Sequence, residues 1–197
     1  MMTAAKKLNP ISVEDYLAGE LISSVKYEYV DGVVYAMAGA TNAHNLIGAN
    51  VIGALFGRLR GQKCRTFNSD TKVRIRQAHH IRFYYPDAQV ICRPNAPQES
   101  FQDEPTVIVE VLSKKTRRTD FNEKKEAYLS ISSLTVYIVL EQESAQGHVF
   151  RRANGGFDRE LYEGLDAVIP LPSINTELPL AEAYEAVEFT PEPDESE

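Results

Sequence analysis

The apolar positions of this chain change period several times, and each change marks an element. Ser12 followed by Glu14 and Asp15 predicts a helix start, with acids in the first turn where the dipole favours them, running to about Gly19. YEYV, Asp31-Gly32 and VVYAM read as a hairpin, because Asp-Gly supplies the two positive-φ positions of a type I′ turn. Thr41 or Asn42 can cap a second helix with an apolar stripe of Leu46, Ile47, Ala49, Ile52, Leu55, Phe56 and Leu59, ended by Gly61. CRTFNSDTKVRIR suggests two short strands about Asn68-Ser69-Asp70. In the second, Val73 and Ile75 alternate with Lys72, Arg74 and Arg76, which makes one face apolar and the other basic.

Pro86 in FYYPDAQVIC suits an edge position or a strand start. TVIVEVL, residues 106–112, is nearly continuous β-branched sequence, the mark of a central strand buried on both faces, and one charge, Glu110, interrupts it. The helix expected over 120–129 and the buried strand 134–141 complete a right-handed βαβ crossover. GHVFRR and GFDRELYEG read as a late antiparallel pair, and LPLAEAYEAVEF as a short closing helix. TPEPDESE has nothing apolar to bury and reads as a disordered tail. The order of elements predicts an α/β or α+β protein, a mixed β-sheet core flanked by helices. At 197 residues, one domain over 1–189 and an acidic tail over 190–197 are expected.

Composition narrows the class. No apolar run approaches the ~20 residues that span a bilayer, and MMTAAKKLNP lacks the apolar stretch of a signal peptide. The only cysteines, Cys64 and Cys92, rule out a four-cysteine zinc site or a disulfide scaffold and read as core residues in a reducing cytoplasm. The net charge of −7 argues at first against nucleic acid, but eight acids and no Lys or Arg lie in residues 177–197. The remaining body carries 20 acids against 21 bases, a net of +1. Arg58, Arg60, Lys63, Arg65, Lys72, Arg74, Arg76 and Arg82 fall in one window; Lys114, Lys115, Arg117, Arg118, Lys124 and Lys125 fall in another. Either these are solvated surfaces or they meet phosphate.

Glu110 carries the chemistry. A carboxylate in TVIVEVL cannot stay buried and unpaired without several kcal/mol of cost, so it needs a cation. Asp87 opens the neighbouring strand about twenty residues earlier, and the pair can meet at one sheet edge. Two such carboxylates suffice for Mg²⁺, which completes its shell with water and phosphate; the plain alternative is an ion pair between Glu110 and an arginine. Asp120, Lys124 and Tyr128, spaced i, i+4, i+8, share one helical face, from which Lys124 can reach the site, with Lys125 the substitute if the phase is off. Glu28 is a third carboxylate or a solvated strand residue. His44 either touches phosphate or caps its helix, and Ser113 follows the Glu110 strand without a Gly-x-Ser-x-Gly elbow.

Together these segments resemble the PD-(D/E)XK nuclease superfamily, and more closely a bacterial family of restriction endonuclease-like proteins. The likeness runs from about Ser12 to Arg152 through YEYVDGVVYAMAG, NAHN, SDTKVRI, FYYPDAQVIC, TVIVEVLS, DFNEKKEAY and VYIVLE. It implies a restriction-endonuclease-like mixed sheet with an N-terminal hairpin and a C-terminal antiparallel extension. It implies Mg²⁺ or Mn²⁺ on Asp87, Glu110 and the Val111 carbonyl, with Glu28 accessory. It also implies a homodimer, for which FYYP and the late hairpin are the apolar surface expected. The superfamily motif places lysine two residues after the second acid, where this chain has Leu112; the resemblance moves that role to Lys124.

The leading reading is metal-dependent hydrolysis of DNA, with Asp87, Glu110 and Lys124 catalytic. Lys72, Arg74, Arg76, Lys114, Lys115, Arg117 and Arg118 would contact backbone phosphate, largely blind to sequence. The rivals are a DNA-binding module without turnover and a structural or interaction subunit.

Overall fold

The computed structural model describes residues 10–37, 39–112 and 123–189. Helix α1 (Val13–Ile22) begins at Ser12, whose hydroxyl accepts the Asp15 N–H at 3.0 Å. β1 (Tyr27–Val30) and β2 (Val33–Ala36) form the expected hairpin, with Asp31 and Gly32 at φ 49° and 93°. Gly32 has a second reason to lack a side chain, since a Cβ there would lie 2.4 Å from that of Pro10. α2 (Asn42–Arg58) is capped by Thr41 and buries Ile47, Gly48, Val51 and Leu55. Leu46 and Phe56, expected inside, are 37% and 55% exposed. A helix lying on a sheet buries one arc, narrower than seven apolar positions span.

Then come β3 (Arg65–Asn68), β4 (Lys72–Gln77), β5 (His80–Tyr84), β6 (Ala88–Ile91), β7 (Phe101–Gln102) and β8 (Pro105–Leu112). α3 (Lys125–Leu129), β9 (Val136–Glu141), β10 (Gln146–Ala153), β11 (Gly156–Glu163), β12 (Val168–Leu171), β13 (Thr176–Pro179) and α4 (Leu180–Ala183) complete the chain. One sheet has the order β2-β1-β5-β4-β7 and a second β11-β10-β9-β8-β6-β3. β8 and β9 run parallel, as a crossover demands, while β8 and β6 are antiparallel. Residues 113–122 of that crossover lie outside the described residues.

The continuous apolar run of β8 follows from cover on both faces. Val107, Val109 and Val111 pack in one core with α2, β12 and β13. Ile108 and Leu112 pack in another with Val73, Ile75 and Tyr84 of the five-stranded sheet and Ala127 and Tyr128 of α3. α1 covers the far face of the five-stranded sheet through Tyr16, Tyr29, Phe83 and Phe101. The layers are therefore α1, sheet, sheet, α2, the mixed architecture that the element order predicts.

Three expectations change. The C-terminal segment is mostly not helical: Leu178 pairs with Ile169 in a β12–β13 hairpin, both fully buried, and only Leu180–Ala183 is helix. Cys64 and Cys92 form a disulfide, one step beyond the Arg65–Ile91 pair that joins β3 to β6. Their 28-residue separation gave no sign of adjacency before the strands paired. FYYP offers no surface, because Phe83, Tyr84 and Tyr85 are at most 4% exposed between the layers; the late hairpin does expose Leu161.

Candidate active site

β5 and β6 belong to different sheets, and the chain passes between them at Tyr85-Pro86-Asp87. Pro86, with no N–H to donate, fits this corner. Continuing the Ala88–Val109 register by one step sets Asp87 opposite Glu110. Both Asp87 oxygens are held. Oδ2 accepts the Val111 N–H at 2.7 Å, and Oδ1 accepts from His44 Nε2 at 3.1 Å. The His44 N–H is itself capped by Thr41 at 3.2 Å, which fixes the turn that carries the imidazole.

Glu110 is 3% exposed and compensated. Tyr128 Oη donates to it at 3.0 Å, and Lys124 Nζ lies 3.7 Å from it. The same ammonium is 2.7 Å from Glu28, on β1 of the other sheet, so one cation bridges two carboxylates across the layers. Burial, then the Glu110 charge, pushes the Tyr128 phenol well above its usual 10, which keeps it a donor. Burial and Glu123, which accepts from Tyr84 Oη at 3.2 Å, likewise raise Tyr84. The helical phase of Lys124 and Tyr128 is the one their i, i+4 spacing predicts; Lys125 instead stands 5.4 Å over the Phe150 ring.

Among the described residues, no three His, Cys, Asp or Glu side chains gather as metal ligands. The donors at this sheet end are two carboxylates and a backbone carbonyl. The Val111 N–H faces Asp87, and in an extended strand the carbonyl of the same residue lies on that side. This all-oxygen set fits Mg²⁺ or Mn²⁺, which take one or two carboxylates and leave other positions to water and phosphate.

The basic face of β4 is only partly open. Lys72 is 4% exposed, 3.7 Å from Glu20 and 5.1 Å above the Tyr85 ring, and burial lowers its pKa. Alternation predicts a face, not what covers it, and here α1 does. Arg74 makes two 2.7 Å bonds to Asp103 and lies 4.0 Å over Phe101, while Arg76 is exposed. Ser113, Lys114, Lys115, Arg117, Arg118 and Asp120 lie outside the described residues. Glu20, which accepts from Tyr85 Oη and from the Tyr27 N–H at 3.1 Å, carries no signal in its helical context. The His44–Asp87 contact joins residues 43 apart and was equally hidden.

The Uma2 family pattern, described as putative restriction endonuclease, matches residues 13–181, from the start of α1 into α4. The chain belongs to the Uma2 family. It is 30% identical over 147 residues to the uncharacterized Synechocystis protein slr1290, covering 74% of this chain and 76% of that one. It is 28% identical over 149 residues to the uncharacterized Synechocystis protein sll1609, with 72% and 80% covered. A crystal structure of a putative nuclease belonging to DUF820 from Anabaena variabilis superposes with a TM-score of 0.69 at 18% identity, over 89% of this chain and 98% of that one. At that identity the likeness is one of fold, restriction-endonuclease-like. No helix among the described residues is long and apolar enough to cross a membrane.

Proposed function

We propose that this Uma2 protein is a Mg²⁺- or Mn²⁺-dependent nuclease hydrolysing phosphodiester bonds in DNA. The observation that carries this is Asp87 held by the Val111 N–H at 2.7 Å, one residue along the strand from Glu110, with the Lys124 ammonium 3.7 Å from Glu110. Asp87, Glu110 and the Val111 carbonyl would hold the ion, with Glu28 accessory. Such an ion acidifies a coordinated water and offsets charge on the scissile phosphate. The protein's own groups prepare the site: the Val111 N–H and His44 set the plane of Asp87, and Tyr128 orients Glu110. Lys124 is placed to orient water or meet phosphate charge. Leu112, at the position of the usual lysine, is 2% exposed in the inter-sheet core, so the cation comes from the start of α3.

One observation favours a second reading, a DNA-binding module without turnover: the Lys124 ammonium is already 2.7 Å from Glu28. Cleavage of plasmid and single-stranded DNA with Mn²⁺ separates the two. Hydrolysis is expected from the wild type and lost in Asp87→Ala, Glu110→Ala and Lys124→Ala, with the Mn²⁺ calorimetric isotherm abolished in Glu110→Gln. DNA retention without metal or turnover would support the second reading. Cleavage surviving all three alanine variants would place the activity elsewhere.

A further inference from the structure

A cleft of about 160 Å³ opens beside Asp87, between the first half of α2 and the β3–β4 turn. His44, Asn45, Ala49, Ile52, Ser69 and Asp87 are among its walls. We propose that it receives one unpaired nucleobase next to the scissile phosphate, which makes the substrate single-stranded or locally unpaired DNA. This rests on the nuclease reading and names its substrate class.

Three properties select a base. Among the described residues no Lys or Arg lines the cleft, and the Asp87 carboxylate forms part of its wall, which disfavours a phosphate there. The Asn45 amide can donate and accept, as can the Ser69 hydroxyl, which suits the polar edge of a base. Ala49 and Ile52 offer apolar surface on which a ring face can rest. Size then excludes a base pair, because a cavity of about 150 Å³ accommodates a single benzene-sized ring. A duplex must unstack and unpair a base to fill such a site, whereas a single strand presents one ready. The position matters as much as the shape. His44 and Asp87 are in contact and both line the cleft, so a base seated there adjoins the proposed metal carboxylate.

The test uses fluorescence anisotropy in EDTA, where hydrolysis cannot intervene, with a labelled oligothymidylate, its duplex with oligodeoxyadenylate, and thymidine monophosphate as competitor. The wild type should bind the single strand about tenfold more tightly than the duplex. Ala49 is exposed, so Ala49→Phe fills the cleft without entering the core. That variant should lose the preference, with circular dichroism and the Mn²⁺ isotherm as controls for the fold and the metal site. Equal binding of both forms by the wild type, or a preference retained in Ala49→Phe, would overturn the cleft assignment. Displacement by thymidine monophosphate at concentrations equal to the oligonucleotide would overturn a strand as the ligand. A strand preference without Mn²⁺-dependent cleavage removes the hydrolytic reading but leaves the cleft; cleavage without strand preference does the reverse.

Discussion

Glu110 shows how much one residue can disclose. Its position inside a β-branched run demands compensation, and the compensation is a phenol and an ammonium from the following helix. The prediction at this scale is Tyr128→Phe. The ring keeps its neighbours Tyr84 and Tyr137, with centroids 5.7 and 5.4 Å away, so only the hydroxyl is lost. A buried carboxylate deprived of a donor costs about 1–3 kcal/mol, so the urea midpoint should fall accordingly and Mn²⁺ affinity should weaken. An unchanged midpoint would mean that other donors hold Glu110. Lys72 teaches the converse. Its place in an alternating strand reads as open basic surface, yet it is enclosed, because burial depends on α1 packing over it.

Elements with a strong period form as their pattern predicts. β8, β9 and the β1–β2 hairpin are where the apolar runs and the Asp-Gly turn put them. β12 and β13 were hidden because they are short, each contains proline, and they gain stability only by pairing with each other over α2. The late hairpin carries a pH prediction. Arg151 donates to Glu160 at 2.7 and 3.0 Å across β10 and β11, and Tyr162 Oη adds a 2.8 Å bond. The Arg151 hydrogen bonds, outweighing burial, hold the Glu160 carboxyl below its ordinary 4.5. The stabilisation is therefore complete above about pH 4.5 and drains away as pH falls through the lower folded value. The pair is partly exposed, so its size is about 0.5 kcal/mol. Calorimetric melting of wild type and Glu160→Gln should show a gap near neutrality that closes in acid. A gap that widens in acid would contradict the assignment.

At the scale of the whole molecule, charge is distributed rather than balanced. The −7 net charge sits almost wholly in residues 177–197, while the rest carries +1. If the acidic end competes with phosphate for the basic surface, deleting residues 190–197, which removes four acids, should raise DNA affinity at low salt. The gain should shrink as salt rises, since the interaction is screened beyond a Debye length of roughly 10 Å at 0.1 M. Equal affinities at all salt concentrations would limit the tail to solubility.

The N-terminal hairpin, the buried strand β8, the parallel crossover and the need of Glu110 for a cation follow from the sequence, because period, turn chemistry and desolvation act locally. The sharing of Lys124 between two sheets, the His44 hold on Asp87, the covering of Lys72, the Cys64–Cys92 bond and the cleft were decided only by tertiary structure. Each joins residues far apart in the chain, and no local periodicity encodes which distant element will pack against a given face.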